Sequence, residues 1–329
     1  MQMIEIKNSL RRIFHSYAKE TLDYHDLKEA TEIFKTSLFN WHSKNFLENL
    51  DRENLIAENG IAIGPYWAAM CLDDLMRTRQ FIRGITKAFD EKLKKQSSIE
   101  VIYAGTGPFA NLLLPIFQEY KTHQIRYTLV EINPISFSIL QGFMEEFNQE
   151  DLDITLVMAD ASKLKLDPKR KPDIIISETM QAGLKSEPQI AISQNLLNQA
   201  DEDSILIPQN IKLSLGLSTN RSSNKEYKIE EFYKTSLVME VNKSTLKKYP
   251  NGFPEVQTKF LQKDLNINSH LSLLTEIQIF EEEALKINQS GLTNPLNVAA
   301  LSQQDIIADY IIHTKYQLGQ NPELIIKIM

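Results

Sequence analysis

The sequence predicts a mixed α/β protein, with a doubly wound parallel sheet preceded by a helical N-terminal region and followed by a β-rich C-terminal domain. Three observations carry that expectation. Apolar residues recur at helical spacing over the first ~95 positions. From Ser98 onward strand-like and helix-like segments alternate. Beyond Pro208 the alternation stops and period-two strands take over. A chain of 329 residues exceeds what one compact core usually serves, and these textures divide it into 1–98, 99–208 and 209–329.

In the first region Ile4, Ile6, Leu10, Ile13, Phe14 and Tyr17 mark one helical face, and "DLKEATEIFKTSLFNWH" resumes the pattern. A glycine-proline break at "GIAIGPYW" precedes a helix expected to run unbroken from Trp67 through "WAAMCLDDLMRTRQFIRGITKAFDEKL". The middle region then reads as strand "IEVIYA", helix "FANLLLPIFQEY", strand "RYTLVEI", helix "ISFSILQGFMEEF" and strand "DITLVMA", continued by strands "DIIIS" and "SILIP". Strands separated by helices of crossover length pair in parallel. Their nearly continuous apolar character fits a sheet covered on both faces. In the last region "NIKLSLGLS", "TSLVMEV" and "LSLLTEIQIF" alternate with period two and lack intervening crossover helices.

Composition narrows the function classes. Apolar residues at 42% and charged residues at 24% are those of a folded protein. A formal net charge of -7 argues against a nucleic-acid partner, which needs a basic face. The runs "KLKLDPKRK" and "KEYKIEEFYK" read as solvated surface. The single cysteine, Cys71, cannot form an internal disulfide, and the opening residues lack the apolar core of a signal peptide, so a cytoplasmic protein is expected. No stretch approaches bilayer length. The six histidines show no metal-ligand spacing, so no metal is expected.

The chemistry concentrates at the strand ends of the middle region. "AGTGPFA" puts Gly105, Thr106 and Gly107 in the turn after the first strand, where absent side chains let a ligand approach the backbone. With Ala110 this satisfies a dinucleotide pattern, so a nicotinamide or flavin enzyme stays open. Glu131 ends the second strand and could hold ribose hydroxyls, whether of a dinucleotide or of S-adenosylmethionine (SAM). Asp160, followed by Ala161, ends the third strand and could accept from an adenine amino group, or it could simply cap a turn. Two successive strand-end acids favour SAM.

The fourth strand ends on Ser177-Glu178, and Glu187 follows on a loop able to fold back. Two carboxylates facing one pocket suit a guanidinium, which offers paired N–H donors in a plane. Methyl transfer from a sulfonium to a guanidinium sets two cations in contact, a repulsion of ~4 kcal/mol at ~4 Å and an effective dielectric of ~20. Two anions offset it, localise the charge away from the attacking nitrogen and orient its lone pair. Surface acids on an ordinary connecting loop are the competing explanation.

These residues resemble the protein arginine methyltransferases. "DIIISETM" with Glu178 and Glu187 is similar to that family's double-glutamate loop, "AGTGPFA" to its first motif and "LVEI" to its second-strand acid. "LDDLMRTRQF" resembles the helix before its sheet, with Asp74, Arg77 and Thr78 in the matching pattern. The likeness spans roughly 67–217. It implies a Rossmann-like SAM-binding methyltransferase, SAM as cofactor, and N-methylation of a guanidino group. It further implies Arg77 on the cofactor's carboxylate, Gly105, Thr106, Gly107, Glu131, Asp160 and Ala161 around the cofactor, Glu178 and Glu187 on the substrate, and a homodimer.

The chain also departs from that family. Its threonine-histidine-tryptophan loop has no counterpart, since the tryptophans are Trp41 and Trp67; "IIHTKY" with His313 is a poor substitute. Tyr66 is a weak match for its cofactor-covering tyrosines. The departures lie where a peptide groove would form, so free L-arginine or another small guanidine is at least as good a candidate substrate as a protein side chain. The alternatives are methylation of another amine or oxygen, and a noncatalytic SAM-binding module.

Overall fold

A computed structural model of the chain describes residues 2–46, 49–120, 123–148, 152–219, 232–265, 269–301 and 309–329. The part of the "KEYKIEEFYK" run up to residue 231 lies outside the described residues.

Helices α1 (Gln2–Ala18) and α2 (Tyr24–Asn45) bury facing stripes, Ile6, Leu10, Ile13 and Tyr17 on one and Leu27, Ala30, Phe34, Leu38 and Trp41 on the other. The Asp23 carboxylate caps α2 by accepting from His25 N and Asp26 N, both at 3.1 Å. Strands β1 (Leu55–Ala57) and β2 (Gly60–Ala62) form a hairpin that the mostly helical expectation for this region does not include. Asn59-Gly60 between short apolar runs was the readable signal for it.

The long helix expected from Trp67 is divided into α3 (Pro65–Met70), a 3-10 turn at Cys71–Asp73, and α4 (Leu75–Leu93). Asp74 leaves the helical region, and its Oδ1 accepts from Arg77 N at 3.0 Å to start α4 afresh. This places Arg77 in the first turn of a helix that points at the sheet edge.

The central sheet contains β3 (Ile99–Ala104), β4 (Ile125–Glu131), β5 (Asp153–Met158), β6 (Ile174–Ser177) and β7 (Ile205–Ile207), ordered β5-β4-β3-β6-β7 and parallel throughout. Helices α5 (Pro134–Phe147) and α6 (Gln189–Leu197) follow β4 and β6. The helix expected after β3 is instead a run of successive turns. Ala110 sits at φ 47°, and Pro115 has no N–H to return to Asn111, so regular bonding fails. Leu113, Leu114, Ile116 and Phe117 are nevertheless buried, so that segment still covers the sheet.

Strands β8 (Asn210–Thr219), β9 (Phe232–Asn242), β11 (Ser269–Phe280), β12 (Glu283–Leu285) and β13 (Leu296–Leu301) build an antiparallel sheet ordered β12-β11-β8-β9, with β13 also on β11. Strands β10 (Val256–Phe260), β14 (Tyr310–Gln317) and β15 (Glu323–Ile328) make a second one, and a short helix α7 spans Lys243–Lys248. Helix α4 joins the two halves: Gln80 Nε2 donates to Ala284 O at 2.9 Å, and Arg83 Nε to Glu283 Oε1 at 2.9 Å. At the other end Trp41 packs edge-on against Phe109 and Phe143 and donates to Glu146 Oε2 at 3.0 Å. The N-terminal helices thus brace the segment that follows the glycine turn. Among the described residues no helix is long and apolar enough to cross a membrane.

Candidate active site

Strand register fixes where the chemistry gathers. Ala104 pairs with Val130 on one side and Ser177 on the other, and Glu131 pairs with Met158. The residues next along the chain, Gly105, Glu178 and Ala159-Asp160, therefore emerge at one edge of the sheet beside Glu131. That edge is the carboxyl end, and β3 and β6 flank the point where strand order reverses, the place where open α/β sheets bind ligands. A cavity partly open to solvent lies there. It is lined by all of Arg77, Gly105, Thr106, Gly107, Glu131, Asp160, Ala161, Glu178 and Glu187.

The glycine turn is shaped for close approach. Gly105 and Gly107 have φ of 76° and 62°. A Cβ on Gly105 would stand 2.3 Å from Thr179 Cγ2, and one on Gly107 3.0 Å from Ala68 Cβ. Glu131, 5% exposed, holds this turn: its Oε2 accepts from Gly107 N and its Oε1 from Asn133 N, each at 2.8 Å. Burial pushes its carboxyl up, while the backbone N–H groups of Asn133, Gly107 and Ile132 pull it back. The carboxylate keeps acceptor capacity for a hydroxyl donor. Asp160 does cap a turn, its Oδ1 accepting from Ser162 N at 2.9 Å and Ser162 Oγ at 2.6 Å, and it lines the cavity as well. Ala161 is buried, with its carbonyl accepting from Asn195 Nδ2 at 2.8 Å.

Both glutamates face inward, each 7% exposed. Glu178 Oε2 is ion-paired with Arg77 Nη2, while Glu178 Oε1 and Arg77 Nε are buried without a hydrogen-bond partner. Burial pulls the Arg77 guanidinium down, but Cys71, Tyr103 and Asp74 more than offset it, so it stays charged. Burial pushes the Glu187 carboxyl up to about 7, against the opposing pull of Arg77 and a hydrogen bond from Gln181. The two acids therefore differ: Glu178 is ion-paired with Arg77, whereas at Glu187 burial outweighs the pull of that guanidinium and of Gln181.

The hairpin roofs this edge. Ile61 N donates to Ser186 O at 2.8 Å, and Asn59 Nδ2 donates to Ser162 Oγ at 2.9 Å, so the β1–β2 turn ties the Glu187 loop to the Asp160 loop. Asn59, Ile61 and Ile63 line the cavity and were missed from sequence, as were Asn111 and Tyr103. Asn111 donates through Nδ2 to Ala68 O at 3.1 Å, leaving its buried Oδ1 without a partner. That cavity wall offers a cradle of glycine backbone, the unpartnered acceptors Asn111 Oδ1 and Glu178 Oε1, and one guanidinium, a polar set that fits SAM. His313 does not reach the site; its Nδ1 pairs with Glu255 Oε1 at 2.8 Å on β14. Tyr66 does not line the cavity and packs instead with Trp67 and Arg52. Among the described residues no group of three or more His, Cys, Asp or Glu could hold a metal ion.

Residues 73–183 match the model of a family described as PRMT5 arginine-N-methyltransferase. No protein of curated function matches the sequence. Among solved structures, the chain is similar to a Trypanosoma brucei PRMT1 enzyme-prozyme heterotetrameric complex with AdoHcy, at 13% identity and TM-score 0.52, covering 78% of this chain and 91% of that one. It is also similar to Arabidopsis thaliana protein arginine methyltransferase 10, at 12% identity and TM-score 0.47, covering 75% and 94%. The family model covers about a third of the chain, the part that holds Arg77, the glycine turn, Glu131, Asp160 and Glu178, and the first of these structures shares the fold.

Proposed function

We propose that the protein transfers a methyl group from SAM to a guanidino nitrogen of arginine, with free L-arginine or a small guanidine accepted at least as well as a protein side chain. One observation carries the reading: Glu178, at the carboxyl edge of the switch point, already holds a guanidinium, that of Arg77. The chemistry of that position is the chemistry a guanidine substrate requires.

Arg77 binds the cofactor's carboxylate, and in turning to it leaves Glu178 free for the substrate. Gly105, Thr106 and Gly107 admit the cofactor against bare backbone, Glu131 holds its ribose, and Asp160 with Ala161 its adenine. SAM supplies an electrophilic methyl group on a sulfonium. Glu178 grips the guanidinium through paired N–H donors and draws its charge away from the attacking nitrogen. Glu187, close to half-ionised near neutrality on its own, is driven to the carboxylate by the arriving cation. It aligns the nitrogen lone pair and is the nearest acceptor for the proton that nitrogen loses. The β1–β2 hairpin seated on Ser186 narrows access to Glu187, which supports a compact substrate. A homodimer belongs to this reading and is tested by the mass of the particle in solution.

The test is incubation of the protein with SAM and either free arginine or an arginine-rich peptide, followed by mass spectrometry. Gain of one methyl mass on arginine, with the peptide no better a substrate, is expected. Stabilisation by NAD but not SAM, or no methylated product from either guanidine, would overturn it.

A further inference from the structure

We propose that Gln189 is a positioning residue that sets the spacing between Glu178 and Glu187; this rests on the guanidine clamp proposed above. The loop that carries the two glutamates leaves the sheet after Ser177, passes a 3-10 turn at Ala182–Leu184 and enters α6 at its first residue, Gln189. Its backbone passes through left-handed conformations at Gly183, Leu184 and Ser186, with φ of 72°, 54° and 69°. Two of these carry side chains, so the loop does not hold its shape unaided.

Most of its ties lead away from Glu178. Gly183 N donates to Thr275 Oγ1 at 2.8 Å, Tyr316 Oη to Leu184 O at 2.7 Å, Ser186 N to Pro322 O at 2.7 Å, and Ile61 N to Ser186 O at 2.8 Å. These fasten the distal part and the Glu187 side to the C-terminal sheets and the hairpin. Gln189 joins the two limbs. Its Oε1 accepts from Thr179 N at 3.0 Å, Thr179 Oγ1 at 3.1 Å and Ser177 Oγ at 3.2 Å, the residues on either side of Glu178. Its Nε2 donates to Ser193 Oγ at 3.4 Å, one turn along α6. Gln189 is 2% exposed and lies two residues after Glu187. One rigidly held amide oxygen thus takes three donors from around the first glutamate while its own backbone carries the second.

The experiment compares Gln189→Met, which keeps volume and loses the acceptor, with Gln189→Glu, which keeps the acceptor. Expected for Gln189→Met is a fall in kcat of ~10- to 100-fold, as for displacement of catalytic groups by about an ångström. KM for the guanidine rises, SAM affinity by calorimetry is retained, and the acid limb of the kcat/KM profile moves to lower pH as Glu187 gains solvent. Gln189→Glu recovers most of the loss. Wild-type kcat in Gln189→Met, a proportional loss of SAM affinity, or no recovery in Gln189→Glu overturns the proposal. If Gln189→Met does not fold, Thr179→Val removes a single donor and is read the same way, with unchanged kcat counting against Gln189. Wild-type turnover in Glu178→Gln and Glu187→Gln would instead overturn the clamp itself, so the two failures are told apart.

Discussion

Replacing Glu187 by glutamine should stabilise the protein at pH 8 while removing its turnover. The folded protein raises this carboxyl from 4.5 to about 7, with burial as the leading cause. A carboxyl whose folded value lies above its unfolded value binds its proton more tightly in the native state. Stability therefore falls as pH rises between those values and levels off above the folded one. At ~1.4 kcal/mol per tenfold change in proton affinity, the raised proton affinity of Glu187 costs about 3 kcal/mol at pH 8, where the native group is ionised, and about 1 kcal/mol at pH 5, where only the unfolded chain ionises it. Glutamine keeps the shape, carries no charge and removes that cost. With ~2.1 cal/mol/K of unfolding entropy per residue, 3 kcal/mol corresponds to a Tm gain of roughly 4 °C for a chain this long. Scanning calorimetry of wild type and Glu187→Gln at both pH values measures it, beside a methyl-transfer assay. An equal gain at pH 5 and pH 8, or a lower Tm at pH 8, would refute the reasoning, because burial would then not be what governs the Glu187 carboxyl.

Three further substitutions test neighbouring parts of the site. Glu178→Gln should move stability the other way, lowering it by about 3–5 kcal/mol in chemical denaturation because Arg77 loses its buried partner. Arg77→Lys should weaken SAM binding by about 1.5–3 kcal/mol in calorimetry, since an ammonium cannot reproduce a bidentate contact; unchanged affinity would remove Arg77 from the cofactor's carboxylate. Gly60→Ala places a Cβ 2.9 Å from Ser186 O and Pro188 N at a φ of 146°. It should unseat the hairpin, raising amide exchange at Ile61 and KM for the guanidine while leaving SAM affinity within about twofold.

Much of this protein is written in local pattern. The alternation of "IEVIYA", "RYTLVEI" and "DITLVMA" with intervening helices determines a parallel sheet, because strand and helix periods differ and parallel pairing needs a crossover. Once such a sheet exists, residues just past its strands share an edge, so Gly105, Glu131, Asp160 and Glu178 could be grouped from spacing alone. Local signals were also present and missed: Asp74 as a cap dividing the long helix, Pro115 against the helix after β3, and Asn59-Gly60 in the hairpin.

What only the tertiary structure decided are relations between segments far apart in the chain. That Arg77 sits on Glu178, that Asn59 reaches Ser162 and Ile61 reaches Ser186, and that His313 pairs with Glu255 outside the cavity depends on how α4, the hairpin and the last sheets pack. The same holds for the difference between the two glutamates. Their side chains are chemically identical, and it is the ion pair with Arg77 at Glu178, against burial that outweighs the same guanidinium's pull at Glu187, that separates them.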